Sequence, residues 1–382
     1  MKTDRKIIYL AGFLFSIPLA LTSYINSSFL ESYIHEDYIG ILYVIASIFT
    51  IWGLFKMPKI LSQLGNRSTA LLFSFLIFLS LILLSIGQKG FIVVPAFILY
   101  FISSNFIIAS LDIFVEDFSK TKSIGKFRGL YLMIINFAWV VAQALSGSII
   151  AKSSFRGIYL FSAIFMLLVS IIFIVFLRDF EDPKYTKIPI FKTLKFFIHN
   201  KNVSKIYIIN LILKFFFAWM VIYSPIYLHE YLHFNWSQIG IIFTIMLIPF
   251  VIVDYPLGKL SDKIGEKKIL LTGFLISAIS VLIIPFFNEP RLILWASILF
   301  ATRIGASVIE VMSESYFFKE VGPQNANVIS FFRNTYPLAY LIAPLLAIPV
   351  LLYIPSFKYL FFVLGAIMLG GFFIALRLKD IK

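Results

Sequence analysis

The sequence contains no cysteine and few charged residues, and both absences narrow what the protein can be. Without cysteine, disulfide frameworks, thiol catalysis and iron–sulfur clusters are excluded. Charged residues make up only 14% of the 382 residues and hydrophobic residues make up 60%, whereas soluble domains are roughly 45–50% apolar. Because so few charged residues cannot cover the surface of a protein in water, most of the surface of this protein must face lipid. No phosphate loop, nucleotide-binding fingerprint or hydrolase elbow is present, and we expect no cofactor.

Long apolar runs, bounded by charged residues, glycine or proline, recur along the whole chain. A membrane-spanning helix needs about 20 such residues, and transmembrane strands are much shorter and alternate in polarity. The first run is long for a signal peptide and no A-x-A cleavage site follows it, so we expect it to be retained. The sequence therefore predicts an all-α integral membrane protein with twelve transmembrane helices, near residues 7–30, 38–57, 69–87, 91–114, 129–151, 156–177, 205–228, 237–257, 268–287, 291–314, 325–353 and 356–376.

Acidic residues are also scarce, since 19 Asp and Glu stand against 33 Lys and Arg, a net charge of +14. In a soluble protein this balance would suggest nucleic acid. Here the basic residues occupy alternate loops, so we expect no nucleic-acid partner. Loops rich in Lys and Arg face the cytoplasm, which predicts a multi-pass cell-membrane protein with both termini in the cytoplasm. The outer loops then hold only Lys89, Lys152, Arg156, Arg291 and Lys358.

The longest hydrophilic stretch divides the predicted helices six and six. We expect an N-terminal six-helix bundle at 1–177, a cytoplasmic linker at 178–204 and a C-terminal six-helix bundle at 205–382. Apolar residues with helical spacing lie among the lysines of the linker. They allow two interpretations, a short amphipathic helix on the anionic inner leaflet or a solvated linker. These apolar residues are Ile190, Phe191, Leu194 and Phe197.

The two halves of the chain resemble each other at a shift of 198–200 residues. Residues 39–41 and 239–241 both read Ile-Gly-Ile, and Asn136 corresponds to Asn334. Because six spans restore the original side of the membrane, the halves are parallel and predict a pseudo-two-fold axis along the membrane normal. The acidic residues of the fourth and tenth helices also correspond, Asp112 with Glu310 and Glu116 with Glu314.

The loop from Gly258 to Lys268 reads G-K-L-S-D-K-I-G-E-K-K. It resembles the signature G-x-L-x-D-[RK]-x-G-[RK]-[RK]-[RK] of the major facilitator superfamily, and it lies where that family has it, between the second and third helices of a half. Glu266 departs from the pattern, as an acid where a base is usual, and the first half keeps only Gly65 and Arg67. The resemblance implies a transporter that moves a small solute by alternating access. It also implies that the first, fourth, seventh and tenth helices line the cavity.

The signature loop also has a direct physical interpretation. Glycines permit close packing and positive φ at a tight turn. Asp262 lies just before the ninth helix, where it can accept from backbone N–H groups or pair with a neighbouring base. Such pairs would form in one state of a cytoplasmic gate and break in the other; the alternative is a loop whose charge only sets topology. The candidate gate residues are Gly258, Asp262, Lys263, Gly265, Lys267, Gly65, Arg67, Asp254, Arg333, Glu314 and Glu116.

Ionisable residues inside membrane helices cost at least ~2.5–3.5 kcal/mol each and need a partner or a wet cavity. Arg303, Glu310 and Glu314 fall on one face of the tenth helix, and Lys214 lies near the middle of the seventh. The two cations allow two interpretations. They either bind an anion in a cavity or have a structural role, in which they pair with an acid such as Glu310 or Lys214 extends to the membrane interface. If pairing holds, Glu310 is the best candidate for proton coupling, with Asp112 as its counterpart.

Uncharged polar residues within the predicted helices are candidates for solute contact. The alternative for each is that it only holds helices together. The G-x-x-x-G-P-x-x-G-G pattern of drug–proton antiporters is absent from the fifth helix, which weakens a drug-efflux interpretation without excluding it. Together with the two cations, the candidate cavity residues are Lys214, Arg303, Asn210, Asn105, Asn136, Trp139 and Gln143.

His229, Glu230 and His233 match H-E-x-x-H, a pattern that binds zinc in metalloproteases. These residues end a predicted span and no third ligand is evident, so we expect no metal site and no enzyme. The sequence predicts secondary active transport, driven by a proton gradient or by the gradient of the solute itself. The solute is a drug or metabolite moved outward in proton-coupled efflux or, alternatively, a small organic anion taken up or exchanged. A membrane zinc protease and a non-transporting scaffold are the rivals of other classes. We expect a monomer whose partners are a small-molecule substrate, protons and membrane lipids.

Overall fold

A computed structural model describes residues 5–118, 124–178, 180, 182, 190–254, 256–257, 260, 265–320, 326–354 and 356–379. Regular structure within these ranges is helical, as the composition predicts. The helices are α1 (Arg5–Ser23), α2 (Asn26–Glu31), α3 (Glu36–Leu64), α4 (Asn66–Ile86), α5 (Gly90–Phe118), α6 (Ile124–Val175), α7 (Ile190–His199), α8 (Lys201–Ile226), α9 (Trp236–Ile252), α10 (Glu266–Ile283), α11 (Leu292–Glu320), α12 (Ala326–Arg333), α13 (Thr335–Tyr353) and α14 (Tyr359–Leu376).

Ten helices in the described part of the chain are long and apolar enough to cross a membrane. One of them, α6, has 52 residues and a non-helical Ser154 (φ 60°, ψ −174°), where two helices meet at a kink. The helix α6 therefore includes both the fifth and the sixth predicted helices. The shorter apolar helix α9 corresponds to the eighth. The all-α membrane fold is confirmed, and the helices are consistent with twelve spans.

The chain forms two compact units, Met1–Lys187 and Ile188–Lys382. In the first unit α6 packs against α1 and α4, and α5 packs against α3 and α4. Close approach depends on small residues, since a Cβ on Gly12 would lie 2.5 Å from the ring of Tyr131. Stacking of Phe73 on Phe106, with ring centroids 4.1 Å apart, joins α4 to α5.

In the second unit α11 is central, because it packs against α8, α9 and α10. Gly305 of α11 meets α10 so closely that an added Cβ would lie 2.5 Å from the carbonyl oxygen of Gly273. Such small-residue contacts are typical of membrane helices, where association depends on packing rather than on the hydrophobic effect. The central helix α11 carries Arg303, Glu310 and Glu314.

Equivalent glycines begin the third helix of each half. Gly65 has φ 79° and ψ 163° before α4, and Gly265 has φ 81° and ψ 158° before α10. Only glycine adopts this region of φ/ψ space without strain. The positive φ that the sequence predicts at the signature turn is therefore present at Gly265, whereas Gly258 lies outside the described residues.

Two predicted helices are each divided in the structure. The first ends at Ser23 and resumes as α2, and the eleventh breaks at Asn334 between α12 and α13. Near the first break the hydroxyl of Thr22 donates to the backbone carbonyl of Pro18, and the hydroxyl of Ser23 donates to the backbone carbonyl of Leu19. Such local bonds compete with the helical ladder and bend helices.

Candidate functional site

An ion pair joins two helices inside the second unit. Lys214 of α8 donates from Nζ to Oε1 of Glu310 on α11 at 2.7 Å, and the two side chains are only 13% and 17% exposed. The same Nζ lies 5.1 Å from the ring centroid of Phe217. The structure thus shows Lys214 in an internal pair with Glu310.

Arg303 lies deeper among aromatic rings and is 1% exposed. Its guanidinium carbon is 4.8 Å from the ring centroid of Phe216 and 6.0 Å from that of Phe217. A cation over the face of an aromatic ring is attracted by the ring quadrupole, more strongly when water is excluded. Phe217 thus lies within 6 Å of both Lys214 and Arg303 and makes them one cluster.

The next polar layer is formed by Asn210, one helical turn before Lys214 on α8. Asn210 is fully buried and donates from Nδ2 to Ser313 of α11 at 3.4 Å. Its Oδ1 accepts from the hydroxyl of Thr335 on α13 at 2.7 Å. Asn210 therefore holds three helices together, which is the structural role that we gave above as the alternative to solute contact.

Arg333 and Glu314 form a bidentate ion pair. The guanidinium at the end of α12 donates to both carboxylate oxygens of Glu314 on α11, at 2.5 and 2.9 Å. Two parallel charge-assisted bonds add geometric specificity to the attraction. Asp254, near the end of α9, accepts from the hydroxyl of Ser307 on α11 at 2.8 Å.

Glu266, which departs from the family signature, is 1% exposed and paired. Its Oε1 accepts from Lys319 at 2.6 Å and from the hydroxyl of Ser315 at 3.1 Å, and both partners lie on α11. The acid at this position thus binds α10 to α11. Lys267 lies beside it in the first turn of α10. The signature residues Gly258, Asp262 and Lys263 lie outside the described residues.

The corresponding turn of the first unit is held by different contacts. The backbone N–H of Asn66 donates to the carboxylate of Asp182 at 2.7 Å, at the start of α4. Arg67 donates to the carbonyls of Phe173 and Ile174 near the end of α6, at 2.9 and 2.8 Å. Both contacts place a charge at the helix end where the backbone dipole favours it.

The first-unit candidates bind mainly to backbone and rings. Asn105 donates to the carbonyl of Phe101 at 2.9 Å in its own helix, and buried Gln143 donates to Ala20 of α1 at 2.6 Å. Trp139 meets Tyr24 edge to face, with ring centroids 6.3 Å apart. Asn136 and Asp112 are half-buried on α6 and α5, and the side chain of Glu116 lies outside the described residues.

Several residues of these networks were not predicted from the sequence. Phe216 and Phe217 are two of 44 phenylalanines, and nothing in the sequence separates them from lipid-facing ones except their place next to Lys214. In the first unit, Tyr100 and Tyr159 were missed, and their hydroxyls contact Thr22 at 2.6 Å and Asn26 at 2.8 Å. Asp182, Lys319 and Ser315 were also missed.

The H-E-x-x-H residues do not lie on one regular helical turn. The end of α8 passes into a π-helix at Tyr227–Tyr231, and His233 has φ 57°. The Nδ1 of His229 is 2.9 Å from the carbonyl oxygen of Phe234, and its Nε2 is 3.8 Å from Glu230. The described ranges contain no cluster of three metal-binding side chains.

Comparison with known proteins gives a match to one family model and similarity to many solved structures. A sequence model of the Major Facilitator Superfamily matches residues 8–237 and 206–381, and the two matches begin 198 residues apart, as the repeated residues do. None of the curated proteins matches. The crystal structure of the human organic anion transporter MFSD10 (TETRAN) is similar, with a TM-score of 0.75 at 14% identity, over 98% of this chain and 99% of that one.

Proposed function

Because this chain belongs to the Major Facilitator Superfamily, a family of membrane transporters, we propose that it moves a small solute across the membrane by alternating access. The observation that carries the proposal is the ion pair between Lys214 and Glu310, at 2.7 Å inside an apolar helical unit. Burying two charges costs several kcal/mol per ion, which mutual attraction offsets only in part. A purely structural contact has cheaper apolar alternatives, so we assign this pair to the transport cycle.

Glu310 is the proposed proton carrier. Protonation neutralises the carboxylate and removes the counter-ion of Lys214, so the pair exists in one protonation state and opens in the other. Proton uptake on one side and release on the other would couple solute movement to a proton gradient.

A small organic anion is the second candidate substrate class. When Glu310 is protonated, a carboxylate of the solute is the natural replacement at Lys214. The ring of Phe217, shared with Arg303, offers an apolar surface for the rest of the molecule. The neighbour MFSD10 is described as an organic anion transporter, and at 14% identity its title adds only a reason to test this class first.

Two further pairs are the proposed gate of the second unit. Arg333 with Glu314 and Glu266 with Lys319 each join α11 to another element. Contacts of this kind hold one state of a transporter and are lost in the other. Asp254, which accepts from Ser307 of α11, belongs to the same proposed gate, and Gly65 and Arg67 belong to the corresponding turn of the first unit.

The coupling proposal is tested in proteoliposomes with an imposed pH gradient and a panel of radiolabelled carboxylates and neutral solutes. Uptake by the wild type is expected to follow the gradient. Glu310→Gln should abolish this dependence while solute exchange persists, because the amide cannot exchange a proton. Glu289→Gln removes an exposed acid of the same unit and serves as the control. Flux that ignores the gradient in the wild type would contradict proton coupling.

The anion class has a separate test that needs no flux. Binding of benzoate should raise the Tm of the purified Glu310→Gln variant at neutral pH, where benzoate is ionised and Lys214 has lost its counter-ion, and benzamide, its neutral isostere, should not, because a ligand that binds the folded state stabilises it by mass action. Lys214→Gln should remove the benzoate shift. Equal shifts from both compounds would indicate a site that does not recognise charge.

A further inference from the structure

Helix α7 presents a face that the second unit does not cover. On one side buried Phe197, 5% exposed, packs against Tyr207 of α8 and Phe331 of α12, with ring centroids 5.3 and 4.8 Å apart. Thr193, one turn earlier, is buried on the same side. The ten-residue helix is therefore fixed to the unit along one face only.

The open face has two adjacent strips of opposite character. The apolar strip consists of Leu194 and Ile198, spaced i and i+4, and Ile198 is 72% exposed. The basic strip consists of Lys192, Lys195 and His199, spaced i, i+3 and i+7, and all three are exposed. Residues three and four apart share a face of a helix, so each strip runs along the axis of α7.

The position of α7 is set by the span that follows it. Only Asn200 separates His199 from the first residue of α8, and the side chain of Asn200 accepts from the backbone N–H of Val203 as the cap of α8. The ring contact with Tyr207 shows that α7 folds back beside the first turns of that span. A helix of ten residues is about 15 Å long, so α7 extends no further than that from Lys201–Tyr231, a candidate membrane span.

The charge around α7 indicates which kind of partner the open face would bind. No acidic residue lies between Asp182 and Glu230, and six lysines fall between residues 183 and 205. An apolar strip beside a basic strip, on a helix that directly precedes a candidate membrane span, matches the acyl chains and anionic headgroups of one leaflet.

We infer that α7 is a docking helix for anionic phospholipid, with Leu194 and Ile198 inserted among acyl chains and Lys192 and Lys195 against headgroup phosphates. Docking would anchor the segment that joins the two units to the leaflet surface. Through Phe197 and Phe331 it would also fix α12, the helix that ends in the Arg333 pair.

The absence of cysteine makes the test direct. Ile198→Cys and, as the matched control on the basic strip of the same helix, Lys192→Cys are labelled with bimane in the full chain. Each is reconstituted into nanodiscs of phosphatidylcholine alone or with about 30% phosphatidylglycerol. Nanodiscs expose both leaflets with the same composition, so the test does not depend on orientation.

Quenching by brominated acyl chains is expected at position 198 and quenching by aqueous iodide at position 192. The acyl-chain quenching should be about twofold stronger with phosphatidylglycerol, and Lys192→Glu/Lys195→Glu in the Ile198→Cys background should reduce it to the level in phosphatidylcholine. Iodide quenching of both labels alike would overturn the inference. So would shielding of position 198 from both quenchers, which would show a protein contact, or a response that ignores lipid charge.

Discussion

At the scale of single residues, Glu266 and Lys319 show how a departure from a family signature is matched elsewhere in the chain. An acid at this position brings a negative charge to the start of α10, where the N–H groups of the first turn favour it. Lys319 and Ser315 of α11 both donate to its Oε1, at 2.6 and 3.1 Å. The acid that replaces the usual base at this position thus forms a specific contact between α10 and α11.

Reversal of one charge in this pair should destabilise the protein more than reversal of both. Glu266→Lys puts two cations at a site where the acid is 1% exposed. Removing one partner of a fully buried pair costs about 3–5 kcal/mol, and we expect about half of that because Lys319 is 36% exposed. Glu266→Lys/Lys319→Glu should recover part of the loss, as measured by Tm in detergent.

The exposed pair of Glu289 and Arg291 supplies the control for this charge swap. Both side chains are largely in solvent, so Glu289→Lys should change the free energy of unfolding by no more than about 0.5 kcal/mol. If the double variant is no more stable than Glu266→Lys alone, the distance of 2.6 Å does not reflect an energetic contact.

At the scale of elements, the kink at Ser154 is a position that suits glycine better than serine. With φ 60° and ψ −174° it lies in a region that costs other residues about 1–3 kcal/mol. Ser154→Gly should therefore raise the thermal stability of the protein. Ser153→Gly is the matched control, because Ser153 is helical and glycine there should cost roughly 0.5–1 kcal/mol. A loss of Tm in both variants would show that the kink is not strained.

The turn before α10 gives the opposite prediction. Gly265→Ala places a Cβ on a residue with φ 81° and should destabilise by about 1–3 kcal/mol, as measured by thermal unfolding. Gly370→Ala in α14 is the comparison, since an added Cβ there meets nothing within 4 Å and the helical backbone tolerates it. Equal Tm values for the two variants would contradict a special role of the turn.

The sequence predicts most of the helices because lipid makes hydropathy a direct record of burial in the membrane. It does not predict the breaks near Ser23 and at Asn334, because apolar residues resume after both and polar residues also occur inside unbroken membrane helices. The charged residues of the second-unit site were found because ionisable groups are costly in lipid. Their partners were found less well: the Lys214–Glu310 pair was one of two alternatives, and Lys319 required knowledge of which helices pack together.

At the scale of the whole molecule, twelve spans would place the two chain ends on the same side of the membrane. Each pair of spans returns the chain to its starting side, and basic residues accumulate in alternate loops. A single cysteine added at either end of this cysteine-free chain should react with an impermeant maleimide from the same side of the membrane, and Lys89→Cys, in the loop between α4 and α5, from the other. The unmodified chain, which cannot react, supplies the background. Labelling of the two ends from opposite sides would require an odd number of spans, and neither the parallel repeat nor the proposed transport cycle is compatible with that.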